Sequence, residues 1–224
     1  MASSEATNYS LSQWERYFKQ FLLEALSGSE DPAHDISHTF RVVENARKLC
    51  LSENGCMEIV IPAAWLHDCV VIPKDSDLRK KASYLASEKA CEILVQVDYP
   101  IQFLPEIQAA IISHSFSANI HPETLEGKII QDSDRLDAIG AIGIARCFAT
   151  GGLMKKSLLN TEDPFSEHRV TDDKKFILDH FFVKLLKLQD SMNTKSAKIE
   201  AGRRIEFLKI FLEQLKSEIF GNND

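Results

Sequence analysis

Cysteine pairs, long apolar runs and basic clusters are all missing from this sequence of 224 residues. The five cysteines are odd in number and include no CxxC motif, which argues against both a disulfide framework and a zinc knuckle. No apolar run approaches the ~20 residues that a membrane span requires. The N-terminus also lacks a basic segment followed by an apolar one. We therefore expect a protein of the cytoplasm that has no membrane partner.

The charge balance argues against nucleic acid as a polymeric partner. Lys and Arg total 26 against 33 Asp and Glu, which gives a formal net charge of -7, and no stretch concentrates basic residues as a duplex-binding surface would. A mildly acidic protein can still bind a small polyanion if a bound metal and a few local Lys or Arg side chains supply the positive field. Small phosphorylated substrates are therefore compatible with this composition.

No stretch alternates apolar and polar residues for long, as a half-buried strand would. Apolar residues recur instead at the three- and four-residue spacing of amphipathic helices. The hydrophobic fraction of 44% is enough for a substantial core. We predict an all-α protein with a single domain, residues 1–224, folded as a compact bundle of about seven to nine helices. The predicted helical segments are residues 11–26, 36–53, 57–71, 82–97, 105–114, 125–148, 172–192 and 194–220.

One predicted connection is longer than joining two helices requires. Residues 150–173 are rich in Gly, Pro, Ser and charged residues, and loops of this length are frequently functional. Gly151 and Gly152 would give the segment conformational freedom, and Lys155 and Lys156 could meet a polyphosphate. Two interpretations stay open: a mobile flap over bound substrate, and a solvent-exposed surface loop.

Strongly polar residues interrupt an apolar segment at WLHDCVV, which contains His67 and Asp68. Taken alone, this dipeptide favours a buried His–Asp pair that hydrogen-bonds within the core. Two other groups accompany it, however. His38 lies on the core side of the preceding helix, in HDISHTFRV, and three carboxylates lie downstream in DSDRLD. The combined pattern is specific, although each piece is not.

This ordered set resembles the HD-domain superfamily of metal-dependent phosphohydrolases, and the tail KLLKLQDSMNTKSAKIEAGRR resembles the closing helices of its small bacterial-type branch. The resembling regions are a motif core at about residues 33–146 and C-terminal helices at about residues 172–220. The resemblance implies an HD-type helical bundle in which one divalent ion is held by four residues. These are His38 in HTFRV, the doublet His67 and Asp68, and Asp134.

DSDRLD contains two competitors for the last ligand position, Asp132 and Asp137. Alignment of this segment with the family motif favours Asp134, the aspartate that precedes Arg-Leu. The other two would then orient the ligands, with Arg135 as a partner.

Two neutral imidazoles and two carboxylates carry a net charge of -2, which matches a divalent cation. The resemblance points to manganese, and the residue types are equally compatible with iron, cobalt, nickel, zinc or magnesium. Such an ion can lower the pKa of a water molecule and neutralise phosphate oxygens, which are the two needs of phosphoester hydrolysis.

The chain departs from many nucleotidase relatives, which place a glutamate shortly after the doublet, because here the sequence reads HDCVVIPKDSD. Candidate proton acceptors are therefore Asp68, His34 or the activated water itself. The candidate substrate contacts are His114, Arg135, Lys74 and Lys184.

Three of these substrate contacts have an alternative interpretation. His114 is also compatible with a buried helix cap or with a ligand to a second metal, for which His121 is the other candidate. Arg135, like Arg41, is equally compatible with a structural salt bridge. Lys74 is equally compatible with a solvated helix start.

We expect a hydrolase that acts on a nucleotide or a similar phosphate ester. The resemblance to the small bacterial-type branch makes pyrophosphohydrolysis of (deoxy)nucleoside triphosphates the first expectation, with a nucleoside monophosphate phosphatase as the second. A nucleotide- or metal-sensing module without turnover is the non-enzymatic alternative. An oxygenase with paired irons would need more histidine ligands than we can place in this sequence. The sequence leaves base specificity open, and it is compatible with a homodimer.

Overall fold

The computed structural model describes residues 10–25, 36–70, 72, 78, 81–115 and 120–221. Within these residues the chain forms α-helices joined by turns and two short 3₁₀ helices, with no strand beyond an isolated bridge between Ser157 and Phe176. The all-α prediction is therefore confirmed. The α-helices are α1 (Leu11–Ala25), α2 (Ile36–Glu53), α3 (Met57–Leu66), α4 (Ala82–Gln96), α5 (Leu104–His114), α6 (Leu125–Asp137), α7 (Gly140–Leu153), α8 (Asp179–Val183) and α9 (Lys195–Phe220). The 3₁₀ helices are Ile101–Phe103 and Leu185–Ser191.

Helix α3 lies at the centre of the core, and its residues 59–66 are all buried. It ends at Leu66, before the predicted end at residue 71, so His67 and Asp68 lie in a turn and not in the helix. Pro62 lies inside this helix and has no N–H, so the carbonyl of Glu58 one turn earlier loses its helical donor. The hydroxyl of Tyr99 donates to that carbonyl at 2.6 Å, which satisfies the group. Helices α2 and α5 both pack against α3 and against α6, so the ends of these four helices lie close together.

The predicted helix at residues 125–148 is two helices. Helix α6 ends at Asp137, α7 begins at Gly140, and the two axes are bent by 66°. Gly140 has a φ of +75°, which a continuing right-handed helix does not allow. A Cβ at this position would also lie 3.2 Å from the Arg204 side chain.

Among the described residues no single helix is long and apolar enough to cross a bilayer, although α6 and α7 meet both criteria when taken together.

The predicted helix at residues 172–192 is also wrong as a continuous element. The structure has only the short helix α8 and the 3₁₀ helix Leu185–Ser191 in this region. Lys184 separates them with φ -131° and ψ -58°, a conformation outside the helical region.

The segment predicted as a flap begins as helix, because α7 continues to Leu153. A Cβ on Gly151 would lie 2.4 Å from the Ile177 side chain. Gly151 is therefore required for close packing against Ile177 and not for conformational freedom.

The remainder of the segment is irregular but hydrogen-bonded. The Lys156 ammonium donates to the Asp173 carbonyl oxygen at 2.6 Å. The Asp163 carboxylate accepts from the backbone amides of residues 167, 168 and 169 at 2.8–3.1 Å. Lys156 thus has a structural contact, and closure of the segment over a substrate stays a prediction.

Candidate metal centre

Three buried histidines converge at the ends of the central helices. His38 lies in the first turn of α2, His67 in the turn that follows α3, and His114 at the last position of α5. The His67 ring centroid lies 5.5 Å from that of His38 and 5.0 Å from that of His114. Their exposed fractions are 1%, 0% and 4% in chain order. A buried cluster of imidazoles requires partners for its nitrogen atoms.

The Nδ1 atom of each ring donates a hydrogen bond to a neighbouring oxygen atom. His67 Nδ1 donates to the Ala64 carbonyl at 2.8 Å, and His114 Nδ1 donates to the Ile111 carbonyl at 2.6 Å. A carbonyl oxygen can only accept, so Nδ1 carries the hydrogen in both rings. His38 Nδ1 lies 2.7 Å from a carboxylate oxygen and donates in the same way. All three Nε2 atoms are thereby left to face the centre, as in histidines that bind metal ions.

Two carboxylates complete the cluster. Asp68 lies beside His67 and His114, with O···Nε2 distances of 3.6 and 3.4 Å, and Asp134 Oδ1 lies 3.4 Å from His38 Nε2. Unlike the histidines, both carboxylates are partly exposed, at 31% and 28%. They therefore form the side of the centre that faces solvent.

The donor atoms have the spacing of ligands around one cation. Those of His38, His67 and Asp134 lie within 4.8 Å of one another, and so do those of His67, Asp68 and His114. Two ligands on opposite sides of an ion with bonds of ~2.0–2.2 Å would lie about 4.2 Å apart. His67 belongs to both groups, so it occupies the middle of the cluster.

His67 Nε2 provides an independent indication of a cation. This atom is buried and has no hydrogen-bond partner among the described residues. Leaving such an atom unsatisfied costs about 1–3 kcal/mol, and the surrounding donors and carboxylates are those of a divalent metal site. The residues present therefore fit a divalent cation.

The electrostatics of the centre distinguish His67 from His38. Burial lowers the pKa of His67 to about 4, so the ring is neutral at pH 7. Burial acts in the same direction on His38, but the carboxylates of Asp134 and Asp137 outweigh it and raise the His38 pKa to about 9. Burial would raise the pKa of Asp134, yet the hydrogen bond to His38 holds it well below its ordinary range. A cation entering the site thus competes with a proton on His38.

The three carboxylates of DSDRLD point in different directions. Asp134 reaches the cluster, as the register predicted. Asp132 accepts four hydrogen bonds from Asn193 and Thr194, at the start of α9. Asp137 lies behind His38.

Asp137 is held by Arg41 and Arg146. Sequence reasoning left Arg41 open between a salt bridge and a phosphate contact, and it did not identify Arg146. No sequence spacing links these residues, because the contact depends on how α2, α6 and α7 pack.

The residues predicted to contact substrate lie in different environments. His114 is part of the cluster. Burial lowers the pKa of Lys184 while the Asp134 carboxylate acts in the opposite direction, and a substrate contact for this residue stays a prediction. The Arg135 guanidinium donates to the Ser191 carbonyl, and a substrate contact for it stays a prediction. His34 and Lys74 lie outside the described residues.

Comparison with known proteins agrees with this geometry. A family model described as HD domain matches residues 35–139. YpgQ of Bacillus subtilis is 31% identical over 203 residues, which cover 89% of this chain and 91% of YpgQ.

Solved structures are similar over nearly the whole chain. A crystal structure of Bacillus subtilis YpgQ in complex with ADP is 32% identical, covers 91% of this chain and 98% of its own, and has a TM-score of 0.70. An HD-superfamily hydrolase from Bacillus thuringiensis is 30% identical, covers 94% of this chain and 99% of its own, and has a TM-score of 0.74. With relatives of this identity and coverage, and with the histidines and aspartates of the motif gathered at one centre, this chain belongs to the HD-domain superfamily of hydrolases.

Proposed function

We propose that this protein is a divalent-metal-dependent phosphohydrolase of nucleotides, and that its first substrate class is the (deoxy)nucleoside triphosphates, cleaved to a monophosphate and pyrophosphate. The observation that carries the metal dependence is the buried Nε2 of His67, which has no hydrogen-bond partner among the described residues and is surrounded by the other predicted ligands.

Four residues would hold the cation: His38, His67, Asp68 and Asp134. Two imidazoles and two carboxylates suit manganese as the first candidate, and iron, cobalt, nickel, zinc and magnesium as alternatives. When bound, the ion would lower the pKa of a water molecule and neutralise developing charge on phosphate oxygens.

The chain's own groups supply proton handling and substrate positioning. Asp68 is partly exposed and follows α3 directly, so its carboxylate can accept a proton from the attacking water; His34 is the alternative acceptor. The Lys184 ammonium, near Asp134, would bind a phosphate oxygen. His114 Nε2, 3.4 Å from Asp68, would contact substrate at the same face.

A related protein supports the nucleotide assignment. Bacillus subtilis YpgQ has been crystallised in complex with ADP, and a nucleoside diphosphate shares its base, its sugar and two of its phosphates with a nucleoside triphosphate. The resemblance of the C-terminal helices to the small bacterial-type branch favours the triphosphate and cleavage to pyrophosphate.

The test is a product analysis across substrates and metals. Chelator-treated protein is reconstituted with each metal in turn and assayed with (deoxy)nucleoside triphosphates, diphosphates and monophosphates, and inorganic phosphate and pyrophosphate are measured separately. Pyrophosphate and monophosphate in equal amounts support the proposal, with Asp134→Ala as the control that should be inactive. Release of phosphate from monophosphates alone would show a phosphatase. Nucleotide binding without any product would show a sensing module.

A further inference from the structure

Asp137 is a buried carboxylate that accepts four hydrogen bonds. Its Oδ1 accepts from Arg41 Nε at 2.7 Å. Its Oδ2 accepts from His38 Nδ1 at 2.7 Å, from Arg41 Nη2 at 3.0 Å and from Arg146 Nη1 at 2.7 Å. The side chain is 1% exposed, so these donors replace solvent completely.

The donors come from two sides of Asp137. Arg41 lies one turn after His38 on α2, and Arg146 lies on α7 beyond the 66° bend. Arg146 also donates to the backbone carbonyl of Asp137, at 3.2 Å. The two guanidinium groups hold the carboxylate in one orientation and keep it ionised.

An ionised carboxylate can only accept hydrogen bonds. Nδ1 of His38 must therefore carry a hydrogen, and Nε2, which faces Asp134 at 3.4 Å, is the only atom of the ring that can give its lone pair to a cation. The same hydrogen bond restricts rotation of the ring.

We propose that Asp137, clamped by Arg41 and Arg146, is a positioning residue for the metal centre: it fixes the ring orientation and the proton position of His38, and so sets the affinity for the cation. This inference rests on the metal dependence proposed above. Arg146 extends the arrangement to α7, an element that supplies none of the four predicted ligands.

The amide variant Asp137→Asn keeps the shape of the side chain but has only one acceptor. If its NH₂ group takes the position of Oδ1, it faces the Nε–H group of Arg41. Two donors then face each other, and the hydrogen bond from Arg41 Nε is lost. If it replaces Oδ2, it faces both arginines and donates to His38 Nδ1, which moves the ring hydrogen to Nε2 and blocks the cation. Either arrangement weakens the hold on His38.

Asp132 offers a matched control on the same helix. It is fully buried and also accepts four hydrogen bonds, from the backbone and side chains of Asn193 and Thr194 at 2.8–2.9 Å. It differs from Asp137 in contacting the start of α9 and no predicted ligand. A purely structural effect of losing a buried carboxylate should therefore appear in Asp132→Asn as well.

The experiment measures Mn²⁺ dissociation constants by calorimetry on the full-length protein, together with melting temperatures in chelator. Asp137→Asn should raise the dissociation constant about 10- to 100-fold, the usual effect of removing a partner behind a metal-binding histidine. Asp132→Asn should lower the melting temperature and leave the dissociation constant unchanged.

A second pair of variants covers the case in which Asp137→Asn does not fold. Arg146→Met removes one donor and should raise the dissociation constant about 10-fold, whereas Arg146→Lys retains a donor for Oδ2 and should stay closer to wild type. Equal Mn²⁺ affinity in wild type, Asp137→Asn and both Arg146 variants would overturn the inference and leave the metal site standing. Absence of binding of Mn²⁺ and of every alternative metal in the wild type would instead remove the proposed function itself.

Discussion

His67, His38, Asp68 and Asp134 form the part of the molecule where single substitutions should act on metal binding more than on folding. Each contacts the centre, whereas the core is formed by many apolar side chains from all the long helices. We expect an alanine at any of the four positions to reduce cation affinity by about 100-fold or more, beyond the effect typical of residues behind the ligands. Metal content measured by elemental analysis, alongside far-ultraviolet circular dichroism, checks this.

The register of DSDRLD is tested by the same measurement on Asp132→Ala. This variant should retain its metal, because Asp132 contacts Asn193 and Thr194. Loss of metal from Asp132→Ala, with full occupancy in Asp134→Ala, would show that the ligand was placed two residues too late.

Two histidines give the metal-free protein a stability maximum between acid and alkaline pH. His67 has a pKa of about 4 in the folded state against an ordinary value of 6.5. Between pH 4 and 6.5 its ring is therefore protonated only in the unfolded state. The free energy of unfolding falls as pH falls through this range. His38 has a pKa of about 9 in the folded state. Between pH 6.5 and 9 its ring is therefore protonated only in the folded state. The free energy of unfolding falls as pH rises through this range. Each contribution is at most about 3–4 kcal/mol.

Urea unfolding in chelator at pH 5, 6.5 and 8.5 measures this dependence. We expect the highest free energy of unfolding near pH 6.5. Saturating Mn²⁺ should reduce the alkaline loss, because the cation replaces the proton on His38. A steady increase in stability from pH 6.5 to 8.5 in chelator would contradict the pKa assigned to His38.

The convergence of His38, His67, Asp68 and Asp134 could be predicted from the sequence because His67 and Asp68 follow an apolar helix and the set matches a known order of motifs. The separate roles of Asp132, Asp134 and Asp137 could not be derived from local sequence alone. At about 100° per residue, these three positions point in different directions around α6. Which direction faces the centre is decided by the packing of α6 against α2, α5 and α9.

At the level of elements, the helices with clear apolar periodicity were predicted to within a few residues. The break between α6 and α7 was missed because apolar residues continue through DAIGAIG. The break depends instead on the positive φ of Gly140 and on the approach of Arg204 from α9. Apolar periodicity reports neither the backbone conformation of one residue nor the approach of another helix.

Two adjacent glycines in the last turn of α7 should respond to alanine with opposite signs. In Gly151→Ala the new methyl group would lie 2.4 Å from Ile177, and we expect a loss of about 1–3 kcal/mol in the free energy of unfolding. Gly152 has nothing within 4 Å of an added Cβ. Gly152→Ala should therefore gain about 0.5–1 kcal/mol from helix propensity.

Chemical denaturation of the two variants under identical conditions measures the difference. A gain in stability in both variants would show that Ile177 accommodates the new methyl group and that packing does not require glycine at position 151.

For the whole molecule, a bound cation would join α2, the turn after α3, and α6. A ligand that binds only the folded state stabilises it by about 2.7 kcal/mol at 100 times its dissociation constant. We therefore expect Mn²⁺ to raise the melting temperature of chelator-treated protein. Calcium should raise it less, because Ca²⁺ prefers a larger shell of oxygen ligands.

Thermal unfolding with each metal, with Asp134→Ala as the control, checks this expectation. The control should show little shift with either ion. An equal shift in wild type and control would place the responsible cation elsewhere on the protein.

The contact between His38 and Asp137 joins residues 99 positions apart, and it also constrains the order in which the chain can fold. Bringing such distant segments together costs loop-closure entropy, which must be overcome before the contact contributes. During synthesis from the N-terminus, His38, His67 and Asp68 are made well before the carboxylates of α6. The nascent chain therefore carries an incomplete set of the proposed ligands, and we expect cation affinity to reach its full value only after α6 docks onto α2.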